Sequence, residues 1–310
     1  MSKRIAILFA GQGAQTVGMG KDIAAAHPAA AAVFAEADAV LGRSLSAVAF
    51  DGPEADLVQT ANCQPALYVH GLACLAALHA QLGALSFQFA AGLSLGEFTA
   101  HAAAGTFTFA DGLRLVAERG RLMQLACERT TGSMAAMIGG EEADVRALAV
   151  ESGVDVANFN SPGQIVLSGS MEGIDKAVAG AKDKGIRKAV KLNVAGAYHS
   201  RLMQSAADAL APTLAATPMH PPRFPVLANF TARAVSTPDE IRAALAAQVT
   251  GSVRWTETIE YLADVEKVEL FLELGPGGII AGLVKRTRKE IPVISIADCA
   301  SLDAALGALA

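Results

Sequence analysis

Cysteine is scarce and scattered in this chain: Cys63, Cys74, Cys127 and Cys299 are its four, with no C-x-x-C spacing among them. That pattern argues against a disulfide framework or a thiolate metal cage and points to a reduced, cytoplasmic setting. The six histidines lack ligand spacing as well, so no metal is expected. Lys and Arg number 25 against 30 Asp and Glu, a net charge of −5. With no basic–aromatic pattern either, nucleic acid is not the main partner. Long apolar runs are missing too. The hydrophobic fraction of 52% reflects many alanines, and no run reaches the roughly 18 residues that span a bilayer, so no membrane is expected. The segment Ile5–Ala10 is too short for a signal peptide and reads as a buried first strand. Phosphate loops are lacking: Gly11-Gln12-Gly13 has neither a following G-K-[ST] nor the spacing G-x-G-x-x-G, and Gly275-Pro276-Gly277-Gly278 lacks the lysine and hydroxyl of a P-loop. What is there is 310 residues, enough for one large or two modest domains with a real core.

The most informative stretch is Phe89-Ala90-Ala91-Gly92-Leu93-Ser94-Leu95-Gly96-Glu97. An apolar strand turns through glycine, presents a serine, and passes a second glycine into the helical pattern Glu97–Ala104. Gly-x-Ser-x-Gly between strand and helix is the nucleophile-elbow signature. A Cβ at either glycine would crowd the neighbouring strand or helix. The helix start aims free N–H groups and its positive dipole end at Ser94, where an alkoxide or acyl oxyanion is favoured. The bland alternative is a turn without chemistry. Gly11-Gln12-Gly13 has a similar double reading, as a structural turn or as backbone N–H groups placed beside a reacting oxygen.

Alanine-rich helices are expected near residues 21–41, 53–60 and 64–82, the last opened by Gln64-Pro65, and Gly105 should end the elbow helix. His70 and His79 on the third are packing or surface residues. In the helix from Ala110 to Cys127, Leu113, Val116, Ala117, Gly120, Met123 and Cys127 define a core face. Arg119 lies between Leu115 and Val116 on one side and Leu122 and Met123 on the other, so every neighbour three or four residues away is apolar. Arg114, by contrast, has Asp111 and Glu118 in reach. A guanidinium among apolar side chains needs an anion, which a protein carboxylate or a substrate carboxylate can supply. An arginine snorkelling to water is the remaining option.

Between Ser133 and Val194 the order reads βαββαβ: strands 133–138, 154–157, 164–168 and 186–192, with helices 141–151 and 171–184. That is a split-βαβ, ferredoxin-like unit. The expected architecture is therefore α/β, a larger α/β-hydrolase-like domain with a parallel sheet (residues 1–129 and 199–310) and an inserted ferredoxin-like domain (130–198), with the site in the cleft between them. His199 begins a helix, whose dipole would keep its ring neutral and able to act as a base. A cap or a packed ring is the plain alternative. His101 is the rival, but it lies two turns from Ser94, and His220 belongs to a loop. Lys285, Arg286, Arg288 and Lys289 close a later helix as a basic, solvated end.

Five stretches together resemble one family, the malonyl-CoA:acyl-carrier-protein transacylases of fatty-acid and polyketide synthesis. They are Phe9–Gln15, Gly92–Glu97, Arg119–Gln124, Asn158–Gln164, and Val253-Arg254-Trp255 with Glu273–Gly277. They occur in the family's order and cover nearly the whole chain. The resemblance implies that Ser94 is the acylated nucleophile, His199 its base and Arg119 the holder of the malonyl carboxylate. It implies that the backbone N–H groups of Gln12 and Leu95 form the oxyanion hole, and that the main-chain carbonyl of Gln248 orients His199 in place of a triad carboxylate. Leu93 departs from the family's usual histidine, which alters pocket polarity without removing the base, and Ala10 departs from its usual proline. Tyr198, a bulky aromatic before the histidine, resembles the malonyl-selective members.

The implied reaction is ping-pong acyl transfer from malonyl-CoA to the phosphopantetheine thiol of an acyl carrier protein, with no permanently bound cofactor. The enzyme is expected to be a cytoplasmic monomer that meets an acidic carrier transiently. Lys182, Lys184, Arg187, Lys188 and Lys191, or the group at 285–289, are the candidate landing surfaces. A serine hydrolase and a non-catalytic carrier-binding module are the competing classes.

Overall fold

The computed structural model describes residues 3–83 and 85–309; the outermost ends of the expected large domain, residues 1–2 and 310, lie outside them. Among the described residues the strands form two separate sheets. The first contains β1 (Ile5–Phe9), β2 (Phe89–Gly92), β7 (Val226–Ala228), β8 (Arg233–Val235), β9 (Leu270–Leu274) and β10 (Val293–Ile296), in the order β10-β9-β1-β2-β7-β8. Every pair is parallel except β7–β8 at one edge. The central strands β1 and β2 read as continuous apolar runs because both faces are covered, whereas the edge strand β8 keeps Arg233 exposed. Ile7, Phe9 and Ala90 pack into one cluster with the helices Thr60–Leu82 and Phe109–Arg129. Ala6, Leu8 and Ala91, one residue out of phase, pack on the other face with Trp255, Phe271 and Ile280.

This topology places the site. The chain leaves β1 for β2 and β7 on one side and returns to β9 and β10 on the other, so a crevice opens at the carboxyl ends of the central strands. Phe9 and Gly92 are register partners. The loop bearing Gln12 therefore leaves the sheet beside the elbow bearing Ser94. The two run so close that a Cβ on Gly96 would lie 2.2 Å from the Phe9 carbonyl oxygen, and one on Gly92 would lie 2.0 Å from the Gly96 carbonyl. Backbone atoms cannot yield as side chains do. Gly92→Ala is expected to cost about 3 kcal/mol or more, read as a lowered urea midpoint; a midpoint equal to the parent's would refute the close approach.

The second sheet contains β3 (Gly132–Ile138), β4 (Asp155–Ser161), β5 (Gln164–Ser170) and β6 (Lys188–Lys191), all antiparallel, in the order β4-β5-β3-β6. The helices Glu142–Ser152 and Met171–Gly180 bury Val145, Leu148, Ile174 and Ala177 against Ala135, Met137, Ile165 and Leu167. The units are stitched by main chain: Val253 donates to Ala157 and accepts from Phe159. Among the described residues no helix is long and apolar enough to cross a membrane.

Three local expectations are corrected. The helix assigned to 64–82 begins at Thr60, so Pro65 lies inside it. The proline leaves the carbonyl of Ala61 without its helical donor, and Arg43 Nη2 supplies one at 3.3 Å. The strand expected over 154–157 runs on to Ser161, held by Val253, and only Pro162-Gly163 turns the hairpin. His199 does not begin a helix: it precedes the 3₁₀ turn Arg201–Met203, whose cap is Ser200, and has φ 55°.

Candidate active site

Ser94 sits at the tip of the elbow, between β2 and the helix Leu95–Ala103, with φ 55° and ψ −105°. Among the described residues four non-glycines have positive φ, and Ser94 and His199 are two of them. Such strain persists only where the surroundings dictate it. At Ser94 they do. Asn229, just past β7, accepts the Ser94 N–H on Oδ1 at 2.6 Å and donates from Nδ2 to Gly92 at 2.7 Å, while Gln248 Nε2 donates to the Ser94 carbonyl at 2.9 Å.

The side chain of Ser94 meets two others. Its Oγ lies 2.7 Å from His199 Nε2 and accepts from Arg119 Nη2 at 3.1 Å. His199 Nδ1 lies 2.8 Å from the main-chain oxygen of Gln248. A carbonyl only accepts, so Nδ1 carries the proton and Nε2 is left as acceptor for the serine hydroxyl. Burial lowers the pKa of His199 from 6.5 to about 4, assisted by the Arg119 charge and opposed by the carbonyl contacts. Burial and a neighbouring cation therefore keep the ring neutral, not a helix dipole.

Arg119 is 1% exposed. Its helix is anchored at Thr108, whose hydroxyl accepts from Asp111 N, and buries the apolar stripe that flanks the arginine. The guanidinium has only neutral partners besides Ser94: Gln64 Oε1 at 2.6 Å and Gln248 Oε1 at 2.8 Å, with the Phe98 ring 5.1 Å away. Among the described residues its Nε is buried with no acceptor, and burial lowers its pKa from 12.5 to about 10. A desolvated cation with a spare donor, next to a serine hydroxyl, is built to receive an anionic oxygen.

Two backbone amides complete the arrangement. Leu95 is the first residue of the elbow helix and Gln12 lies in the loop after β1. Among the described residues neither N–H has a hydrogen-bond acceptor. The side chain of Gln12 is held by Thr60 Oγ1 and Tyr198 OH, at 3.3 and 3.4 Å. Tyr198 is itself pinned to Thr60 at 2.6 Å, with its pKa pushed up to about 12 by burial. Leu93 packs against the cluster holding Ala6, Leu8 and Trp255.

Ser94, His199, Arg119 and Gln248 thus come together, with Tyr198 and Gln12 joined to Arg119 through Gln64, whose Nε2 donates to Gln12 Oε1 at 3.4 Å. Of the basic candidates, Lys184, Lys191 and Arg288 are engaged with Glu151, Asp175 and Asp264, whereas Lys182, Arg187 and Lys188 are exposed. Sequence reasoning missed Gln64, Asn229 and Glu97. The first two stand in no motif. Glu97 lies inside the elbow signature, but an acid in a helix's first turn is ordinary.

A model of the acyl transferase domain matches residues 7–305. The malonyl CoA-acyl carrier protein transacylase of Escherichia coli (strain K12) is 39% identical over 307 residues, covering 98% of this chain and 99% of the relative. That of Bacillus subtilis (strain 168) is 37% identical over 314 residues, covering 100% and 98%. The acyl-carrier-protein-S-malonyltransferase of Bartonella henselae superposes with a TM-score of 0.93 at 39% identity, covering 99% of each chain. A malonyl-transacylase solved in complex with its type II PKS acyl-carrier protein gives 0.94 at 38%, covering 98% of this chain and 99% of that one. Coverage of whole chains, in sequence and in structure, leaves no part of the fold outside the likeness. The chain belongs to the acyl transferase family, and within it to the malonyl CoA-acyl carrier protein transacylases.

Proposed function

We propose that this enzyme moves a malonyl group from malonyl-CoA to the phosphopantetheine thiol of an acyl carrier protein through a malonyl-serine intermediate. The observation that carries this reading is the double contact of Ser94 Oγ, with His199 Nε2 at 2.7 Å and Arg119 Nη2 at 3.1 Å. One neighbour can take the hydroxyl proton; the other is a buried cation that, among the described residues, no carboxylate neutralises by contact.

His199 accepts the Ser94 proton as Oγ attacks the thioester carbonyl. The amides of Gln12 and Leu95 receive the oxyanion. The C–S bond breaks, the imidazolium returns its proton to the departing sulfur, and coenzyme A leaves. In the second half the carrier's thiol gives its proton to His199, attacks malonyl-Ser94, and releases the serine oxygen, which takes the proton back. Gln248 holds His199 through its main-chain oxygen and Arg119 through its side chain. Arg119 holds the free carboxylate of the malonyl group, and Tyr198, fixed by Thr60, narrows the space beside it. Leu93 has an apolar packing role.

The fold belongs to the same reading: a hydrolase-like domain, 1–129 and 199–310, and a ferredoxin-like domain, 130–198, whose strand order β4-β5-β3-β6 supports the assignment. The enzyme works as a cytoplasmic monomer without a permanent cofactor. Its landing surface for the acidic carrier includes Lys182, Arg187 and Lys188, with Lys285, Arg286 and Lys289 as the alternative.

Incubation with malonyl-CoA, followed by peptide mass spectrometry, is expected to place the malonyl label on Ser94. Folded protein without label, label elsewhere, or free malonate as the main product in the presence of carrier would overturn the transfer mechanism.

A further inference from the structure

Glu97 is a fully buried carboxylate one helical turn below Ser94, and the transfer mechanism assigns it no step. Its Oε2 accepts from Asn229 N at 3.0 Å and from Gln248 Nε2 at 2.7 Å, while its Oε1 is buried with no partner among the described residues. Gln248 bridges it to Arg119, giving one hydrogen bond to the carboxylate and accepting another from the guanidinium at 2.8 Å. The crevice thus holds one buried cation and one buried anion, balanced through an amide. A substrate carboxylate arriving on Arg119 brings a second negative charge into the same low-dielectric volume, where one cation cannot offset two anions.

We propose that Glu97 takes up a proton from solvent on Oε1 when an acyl group bearing a carboxylate binds Arg119. This deepens the proposed function and rests on it. Oε1 can receive the proton without breaking a hydrogen bond, and Oε2 keeps both of its donors, so the scaffold behind Ser94 survives the change of charge. Burial already raises the Glu97 pKa from 4.5 to about 7, against hydrogen bonds from Gln248 and Asn229 and the Arg119 charge, so the group is poised near neutrality.

Among the described residues, no other ionised group near Glu97 takes over this role. The adjoining strands β1, β2 and β7 carry no ionisable side chain. His101 on its own helix has a pKa lowered to about 3, and His199 to about 4, in each case chiefly by burial. From the helix Thr60–Leu82, His70 is held by the Ala297 carbonyl and Tyr68 donates to Phe109 O. From the helix Phe109–Arg129, Asp111 pairs with Arg114 and Glu118 with Arg121 at the surface, Glu128 accepts from Gln124, Arg129 is exposed, and Arg119 is the charge that acts on Glu97.

The test is calorimetric, with Ser94→Ala protein so that no acyl transfer intervenes. Malonyl-CoA is titrated in buffers of different ionisation enthalpy, with acetyl-CoA as the control that shares the nucleotide phosphates. We expect a net uptake of about half a proton per malonyl-CoA near pH 7, growing toward about one above it. Acetyl-CoA should show no such uptake, and neither should malonyl-CoA with Ser94→Ala/Glu97→Gln protein, whose glutamine keeps both hydrogen bonds. A second measurement uses the otherwise native enzyme. Its kcat/KM for malonyl-CoA in the acylation half-reaction should fall up to about tenfold per pH unit above neutrality, while acetyl-CoA or Glu97→Gln removes that slope. Equal proton counts for the two thioesters, or a slope unchanged in Glu97→Gln, overturn the inference while leaving malonyl-Ser94 formation intact. Loss of Ser94 labelling would instead strike the transfer reading itself.

Discussion

Arg119→Met is expected to lower kcat/KM for malonyl-CoA by about a hundred- to a thousand-fold, the scale of losing a buried, hydrogen-bonded charge contact. Acetyl-CoA should change by less than about tenfold, because its methyl group offers the guanidinium no charge to hold. The asymmetry follows from Arg119 being fully desolvated, with two neutral glutamine oxygens, Ser94 Oγ and an orphaned Nε. In the parent, an acetyl group leaves that cation unsatisfied; in the variant, nothing distinguishes the two thioesters at this point. Methionine fills much of the volume without charge, but it leaves the buried Glu97 and the Gln64 and Gln248 side-chain oxygens without their cation, and removing one member of a buried charge pair costs stability. The melting temperature should therefore fall, while the protein that remains folded at the assay temperature loses its malonyl preference. Parallel losses on both thioesters would remove Arg119 from substrate selection.

The residues legible in the sequence were those whose local pattern departs from what folding alone requires. Gly-x-Ser-x-Gly was readable because only two backbones in near contact demand both glycines, and the structure has Gly92 and Gly96 in that contact. Arg119 was readable because four apolar helical neighbours give a cation no local excuse. Strand β1 and the βαββαβ order of the smaller sheet were readable from apolar runs and their punctuation. The histidine's neutrality was expected for the wrong reason. Burial depends on what packs over residue 199 from distant segments, and the local sequence imitates a helix start that the chain does not make there. Glu97, Gln64 and Asn229 were hidden because each acts across a long sequence separation, 132 residues for Asn229 to Glu97 and 55 for Arg119 to Gln64. A single helix or strand carries no record of such a partner. Pro65 misled for a similar reason: the donor that lets it sit inside a helix is Arg43, on another element.

His199→Ala should lower the rate of Ser94 acylation by about a hundred- to ten-thousand-fold at neutral pH, with far less change in malonyl-CoA binding, because a base acts in the transition state rather than the ground state. The acid limb of the native pH profile supplies an independent check. Only neutral His199 can accept the serine proton, and its pKa is lowered to about 4. Acylation should therefore persist from pH 7 to about pH 5 and then fall about tenfold per unit below the histidine's pKa. An imidazole at its ordinary value would already have lost half its rate near pH 6.5. Stability moves in the opposite sense across that window. His70, His101 and His199 all have folded pKa values depressed below 6.5, so the unfolded chain binds protons that the folded one refuses. Folding free energy is lost as pH falls from about 6.5, by up to about 1.4 kcal/mol per unit for each ring until each folded pKa is reached, while Glu97, whose folded pKa is raised to about 7, offsets about one ring of that loss down to about pH 4.5. The measurement accordingly calls for a brief acid jump and a count of malonyl-Ser94 before unfolding intervenes. Acylation that halves near pH 6.5 while the protein remains folded would exclude a desolvated His199 as the base.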